Sequence, residues 1–132
     1  MTPGQTGQFR ILVVEDEVLI AIEIEDTLLD MGCVVVGPAG KLSTALRLAA
    51  DEMLDGAILD VNINGGTVFP VAEKLLERGI PFVLASGYSN WALPELMRNH
   101  PRLNKPYTTA DLKTMVKTFR AQMTSRTIAL EK

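Results

Sequence analysis

The sequence predicts an α/β fold: one five-stranded parallel sheet, doubly wound, with helices on both faces. Three observations predict it. Apolar, β-branched runs alternate with stretches of helical periodicity along the chain. The intervals between the runs are helix-sized, as crossovers between parallel strands require. Charged residues end the runs, with Glu15-Asp16 after the first, Asp60 at the third and Lys105 after the last. In a parallel sheet the carboxyl ends of neighbouring strands converge on one rim.

Taken in order, Phe9–Val14 reads as the first strand. Glu17–Met31 follows as a helix, with Ile20, Ala21, Ile24, Leu28 and Met31 on one face and Gly32 as the stop. Cys33–Val36 is a short strand closed by Gly37-Pro38, and Ser43–Glu52 a helix with Ala45, Leu46 and Ala49 inward. Gly56–Asp60 is the third strand, and Asn62–Gly66 reads as a loop. Val68–Arg78 is helical, with Pro70 tolerable because it falls in the first turn. Pro81–Ala85 is the fourth strand and Trp91–Arg98 a short helix. Arg102–Asn104 is a brief fifth strand. The last helix starts near Thr109 and turns Leu112, Met115, Val116, Phe119 and Met123 inward, with Thr108 and Asp111 spaced as a capping box. Right-handed crossovers favour the flavodoxin-like strand order 2-1-3-4-5. Residues 1–8 read as a flexible tail, 9–123 as the domain and 124–132 as a C-terminal tail.

At 132 residues the chain fits one domain, and 47% apolar content argues against disorder. A net charge of −3 carries no footprint for nucleic acid. Lys113, Lys117, Arg120 and Arg126 read as a solvated helix face. The single cysteine, Cys33, has no internal partner and reads as a small core residue. No segment reaches membrane-spanning length, and the polar N-terminus lacks signal-peptide features, so a cytoplasmic protein without membrane contact is expected.

Three carboxylates and one ammonium on a shared rim would make a small acidic pocket suited to Mg²⁺ and a phosphoryl group. Taken singly, each feature has a plainer reading. Glu15 and Asp16 would serve as helix caps, Asp60 as a cap or loop residue, and Ser86-Gly87 and Lys105-Pro106 as turns. Their joint occurrence at four strand ends favours one site. Asp60–Gly65 imitates half of a calcium-binding EF-hand loop, but the twelfth position is Val71 where a glutamate is needed. Haloacid-dehalogenase chemistry needs a second Asp two residues after the first, and Asn62 stands there.

Four motifs in order carry a family resemblance: Val14-Glu15-Asp16-Glu17, Leu59-Asp60-Val61-Asn62, Ala85-Ser86-Gly87 and Asn104-Lys105-Pro106-Tyr107. Over roughly Phe9 to Met123 the chain resembles the receiver domain of a two-component response regulator. The resemblance implies that Asp60 accepts a phosphoryl group from the phosphohistidine of a sensor histidine kinase. It implies Mg²⁺, with Mn²⁺ as a substitute, held by Glu15, Asp16, Asp60 and the backbone carbonyl of Asn62. Lys105 and the Ser86 hydroxyl would bind phosphoryl oxygens. Such a domain catalyses only its own phosphorylation and dephosphorylation. It would act on a downstream protein through the fourth helix, fifth strand and last helix, as a transmitter or a phosphate sink, and as a monomer or weak dimer. Alternatives are a degenerate receiver used only as an interaction module, and a receiver cut from a larger regulator.

The chain departs from the common receiver at Arg102, where an aromatic switch residue is usual three positions before the lysine. Pro81–Tyr88 resembles the Pro-Phe-x-Phe-Ala-Thr-Gly-Tyr motif of a subgroup of alphaproteobacterial stand-alone receivers, with Leu84 and Ser86 replacing Phe and Thr. Gly87 and Tyr88 are therefore candidates for a different switch, and Asn62 for tuning hydrolysis. Tyr88, Trp91, Leu93 and Tyr107 are either core or a partner face. His100, between Asn99 and Pro101, is given no catalytic role.

Overall fold

The computed structural model describes residues 9–86 and 101–131, with side chains through residue 122. The expected helix at Trp91–Arg98, together with Gly87, Tyr88 and His100, lies outside the described residues, as do residues 1–8.

The elements run β1 (Phe9–Val14), α1 (Val18–Asp30), β2 (Cys33–Ala39), α2 (Leu42–Asp51), β3 (Gly56–Asp60), β4 (Asn62–Ile63), β5 (Gly66–Thr67), α3 (Phe69–Glu77), β6 (Phe82–Ser86), β7 (Arg102–Asn104) and α4 (Thr109–Glu131). Strands β2-β1-β3-β6-β7 form one parallel sheet, while β4 and β5 pair antiparallel as a separate hairpin. With that hairpin set aside, the order is the expected 2-1-3-4-5.

Period-two alternation sends successive side chains to opposite faces. Leu12, Val14, Ala57, Leu59 and Leu84 join one core cluster with α2 and α3 residues such as Ala45, Val71 and Leu75. Ile11, Val13, Ile58, Val83 and Leu103 join the other, against Ile24 and Leu28 of α1 and Leu112, Val116 and Phe119 of α4. Cys33 is buried and free, as a core residue should be. Thr108 and Asp111 form the reciprocal cap: Asp111 N–H donates to Thr108 Oγ1 at 3.1 Å, and Thr108 N–H to Asp111 Oδ2 at 2.9 Å.

Apart from one-residue shifts at element ends, three features differ from the sequence reading. The stretch read as a loop holds the β4–β5 hairpin, whose turn uses Gly65 at φ +102°. Two-residue strands are too short for any periodicity to show. Strand β2 runs on through Gly37-Pro38 to Ala39. It is an edge strand, so the missing N–H of Pro38 leaves no ladder partner stranded. The last helix continues to Glu131, through the stretch read as a tail. Arg120, expected on a solvated face, donates to Met31 O at 3.1 Å and lies 5.2 Å from the Phe9 ring centroid. Among the described residues no helix is long and apolar enough to cross a membrane.

Candidate functional site

Strand alternation assembles the site. Ile11 and Val13 of β1, Ile58 of β3 and Leu103 of β7 face the α1–α4 side. Counting on by two reaches Glu15, Asp60 and Lys105. Registers bring the three together. Val14 pairs with Leu59, which sets Glu15 beside Asp60. Ser86 pairs with Asn104, and the next residue, Lys105, donates its backbone N–H to Ser86 O at 3.0 Å.

A slip in the β1–β2 ladder helps to aim the acidic pair. Leu12 pairs with Val36 but Val14 with Ala39, so β2 carries an extra residue there. Its end then reaches Glu15, whose N–H donates to Ala39 O at 2.9 Å.

The oxygens of Glu15, Asp16 and Asp60 lie within 4.8 Å of one another. Glu15 is 3% exposed and Asp60 8%, while Asp16 is half-buried. Lys105 Nζ stands 3.2 Å from Asp60 Oδ1 and 3.3 Å from Glu15 Oε1. Glu15 Oε2 accepts the Glu17 N–H at 3.2 Å. The cap reading of the acidic pair is thus met only in part: one oxygen of Glu15 serves the start of α1, and the other serves Lys105.

Burial, with the neighbouring Asp60 charge adding to it, raises the Glu15 carboxyl above its ordinary value against the Glu17 N–H. For Lys105, burial pulls the ammonium down, but the attraction of Asp60 and Glu15 outweighs it and the net shift is upward. One cation therefore offsets only part of a crowded carboxylate cluster. A second, hard cation held by oxygen donors fits this donor set, and Mg²⁺ is such an ion.

Other residues singled out in the sequence fall around this centre. Ser86 is buried at the end of β6, on the parity of Leu84 rather than that of Asp60. Asn62 is exposed and pairs with Thr67 in the hairpin. Arg102 is half-buried on β7, opposite Leu84. Tyr107 packs its ring against the α1–α4 core cluster, and its hydroxyl is buried with no hydrogen-bond partner among the described residues. Sequence spacing carried no signal for that hydroxyl, nor for the Glu17 N–H as a partner of Glu15.

No protein-family model matches the chain. The chain is 31% identical over 107 residues to the transcriptional regulatory protein PdtaR of Mycobacterium tuberculosis, covering 78% of this chain and 52% of that protein. It thus spans about half the length of the curated relatives it matches. The solution structure of SdrG from Sphingomonas melonis Fr1 is 40% identical with a TM-score of 0.73, covering 85% of this chain and 96% of SdrG. The receiver domain of sensor histidine kinase PA1611 from Pseudomonas aeruginosa PAO1, which holds a magnesium ion in its active-site cleft, shares the fold. Its TM-score is 0.70 at 20% identity, over 86% of this chain and 98% of that one.

Proposed function

Because the chain belongs to the response regulator receiver domains, we propose that Asp60 takes a phosphoryl group from the phosphohistidine of a sensor histidine kinase. The observation that carries this reading is the shared ammonium of Lys105, placed between Asp60 and Glu15 inside a three-carboxylate cluster. A carboxylate attacks an anionic phosphoryl group only where charge is neutralised. An Asp60 oxygen forms the new P–O bond as the P–N bond of the donor breaks. The donor nitrogen keeps that electron pair.

Glu15, Asp16, Asp60 and the backbone carbonyl of Asn62 would hold Mg²⁺, which when bound supplies neutralising charge to the phosphoryl oxygens. Lys105 transfers its hydrogen bond from Glu15 to the incoming group. The Ser86 hydroxyl would donate a hydrogen bond to another phosphoryl oxygen. Residues 9–123 are the unit that performs this reaction.

Two further features suit the reading. Val18, Leu19 and Ile22, at 71%, 79% and 46% exposed, lie on the first turns of α1, which starts two residues after Asp16, and give a donor protein an apolar contact. Pro81–Tyr88 resembles the Pro-Phe-x-Phe-Ala-Thr-Gly-Tyr motif except at Leu84 and Ser86, which supports grouping the chain with those receivers; Gly87 and Tyr88 would then stand in for the aromatic switch that Arg102 replaces. Phosphorylation then shifts a pre-existing equilibrium at the surface offered to a downstream protein.

Intact mass after incubation with Mg²⁺ and acetyl phosphate tests the reaction. A single phosphoryl adduct is expected on the wild type, and none on Asp60→Asn or with chelator. A chain that takes up neither acetyl phosphate nor beryllofluoride is a degenerate receiver, and the proposal fails.

A further inference from the structure

Two residues beyond Lys105 lies a buried polar atom that the phosphotransfer reading does not use. The Tyr107 hydroxyl is fully buried and has no hydrogen-bond partner among the described residues. Buried hydroxyls are nearly always paired, and an unpaired one calls for an explanation. Burial comes first in holding the phenol protonated, up to about 12, and the negative charges of Glu15, Asp60 and Glu23 add to it in that order. The hydroxyl is therefore a donor at all ordinary pH, set in the field of the site carboxylates. It sits two residues from Lys105, on the stretch leading into α4. The carboxylate whose charge it feels most, Glu15, has its Oε1 taken by Lys105 and its Oε2 by the Glu17 N–H.

We propose that Tyr107 is a positioning residue that becomes hydrogen-bonded to the site carboxylates only when Asp60 carries a phosphoryl group. This inference rests on the receiver reading. When Lys105 turns to the phosphoryl group, Glu15 loses a donor and the buried phenol supplies one. Pairing the hydroxyl in that state alone favours the phosphorylated form and draws the Lys105–Tyr107 segment, and with it the start of α4, towards the site. Tyr107→Phe removes one oxygen and keeps the ring in the core.

The test uses the full chain, with Mg²⁺ and beryllofluoride as the phosphoryl mimic. Tyr107→Phe should bind beryllofluoride roughly fivefold more weakly, the loss of one hydrogen bond, while its unliganded melting temperature stays the same or rises. A hydroxyl of merely structural importance would lower that melting temperature and leave the binding alone. The wild type gives a second readout that needs no variant. The chain has two tyrosines, so the Cζ resonance of Tyr107 is easily followed and should move on saturation with beryllofluoride. Wild-type affinity in the variant, or a stationary Tyr107 resonance, overturns the inference. Failure of the wild type itself to bind beryllofluoride instead brings down the receiver reading on which it stands.

Discussion

Lys105 Nζ lies 3.2 Å from Asp60 Oδ1, so the residue ending β3 and the residue following β7 form an ion pair across the strand between them. The same ammonium reaches Glu15 Oε1 at 3.3 Å. In this state Lys105 acts as the resident counter-ion of the carboxylate cluster.

Lys105→Gln removes that counter-ion and leaves like charges facing one another. The unliganded protein should lose about 2 kcal/mol, below the cost for a fully buried pair because Lys105 is partly solvated. Mg²⁺ should then raise the melting temperature of the variant by more than it raises that of the wild type, since the ion no longer competes with an ammonium. Thermal unfolding with and without Mg²⁺ checks this, and equal Mg²⁺-induced shifts would refute the competition.

Glu15→Gln should stabilise the unliganded protein. Burial, reinforced by Asp60, raises the Glu15 carboxyl above 4.5, so the fold favours its protonated form. That contribution is full below pH 4.5 and is lost as pH rises through the raised value. At pH 7 the ionised carboxylate is thus a cost, and the amide removes it. A gain of a few degrees is expected at pH 7, shrinking towards zero in acid, together with weaker stabilisation by Mg²⁺. A lower melting temperature at pH 7 would show that the Lys105 pair outweighs burial.

Alkali should unfold the protein through two groups on one short segment. Lys105 is raised above 10.5 by Asp60 and Glu15 in spite of burial, and Tyr107 is raised from 10.0 to about 12, chiefly by burial. Both contribute stability that is full below their unfolded values and lost as pH climbs through the raised ones. Melting temperature should therefore fall between pH 10 and about 12, and Tyr107→Phe should flatten part of that fall. Tyrosinate absorbance gives the direct check, because the Tyr107 phenol should ionise only near 12 while the protein stays folded.

Gly37→Ala should be among the most damaging substitutions away from the site. Gly37 has φ +102°, and a Cβ there would lie 2.8 Å from both Ala39 N and Val13 O. Both obstacles are backbone atoms, so no side chain can give way. A loss of about 3 kcal/mol is expected from conformation and overlap together, or a drop of roughly 10 °C. Mg²⁺ affinity should fall as well, because Ala39 O anchors the Glu15 N–H. A variant that melts like the wild type would mean the strand end rearranges freely.

Much of this architecture is written in local pattern. Gly56–Asp60 and Arg102–Asn104 appear as strands at the residues where the sequence reading put them, and the apolar faces of α1, α2 and α3 point inward as their spacing requires. Hydrophobic period is a property of neighbours along the chain, and it also orders the sheet once right-handed crossovers are assumed. The charged strand ends were legible for the same reason: parallel strands bring all their carboxyl ends to one rim. The continuation of β2 through Gly37-Pro38 was not legible, because those residues break a strand unless it lies at an edge, and edge position is settled by the whole sheet. The β4–β5 hairpin was hidden by its length.

Within the site, residue types came from the sequence and relationships came from the fold. Nothing local to Lys105 says that its ammonium is shared by carboxylates 45 and 90 positions away. That follows from strand order and register, which set Glu15 beside Asp60 and carry Lys105 across to both. Nor does anything local say that the Tyr107 ring packs against the core while its hydroxyl is buried with no partner among the described residues. Alternation and the direction of a parallel sheet are local rules, so the order of residues alone names Glu15, Asp60 and Lys105 as groups that meet at the rim. Which of them are desolvated and which share a counter-ion is settled by the folded arrangement, because burial and charge act through space between strands distant in sequence.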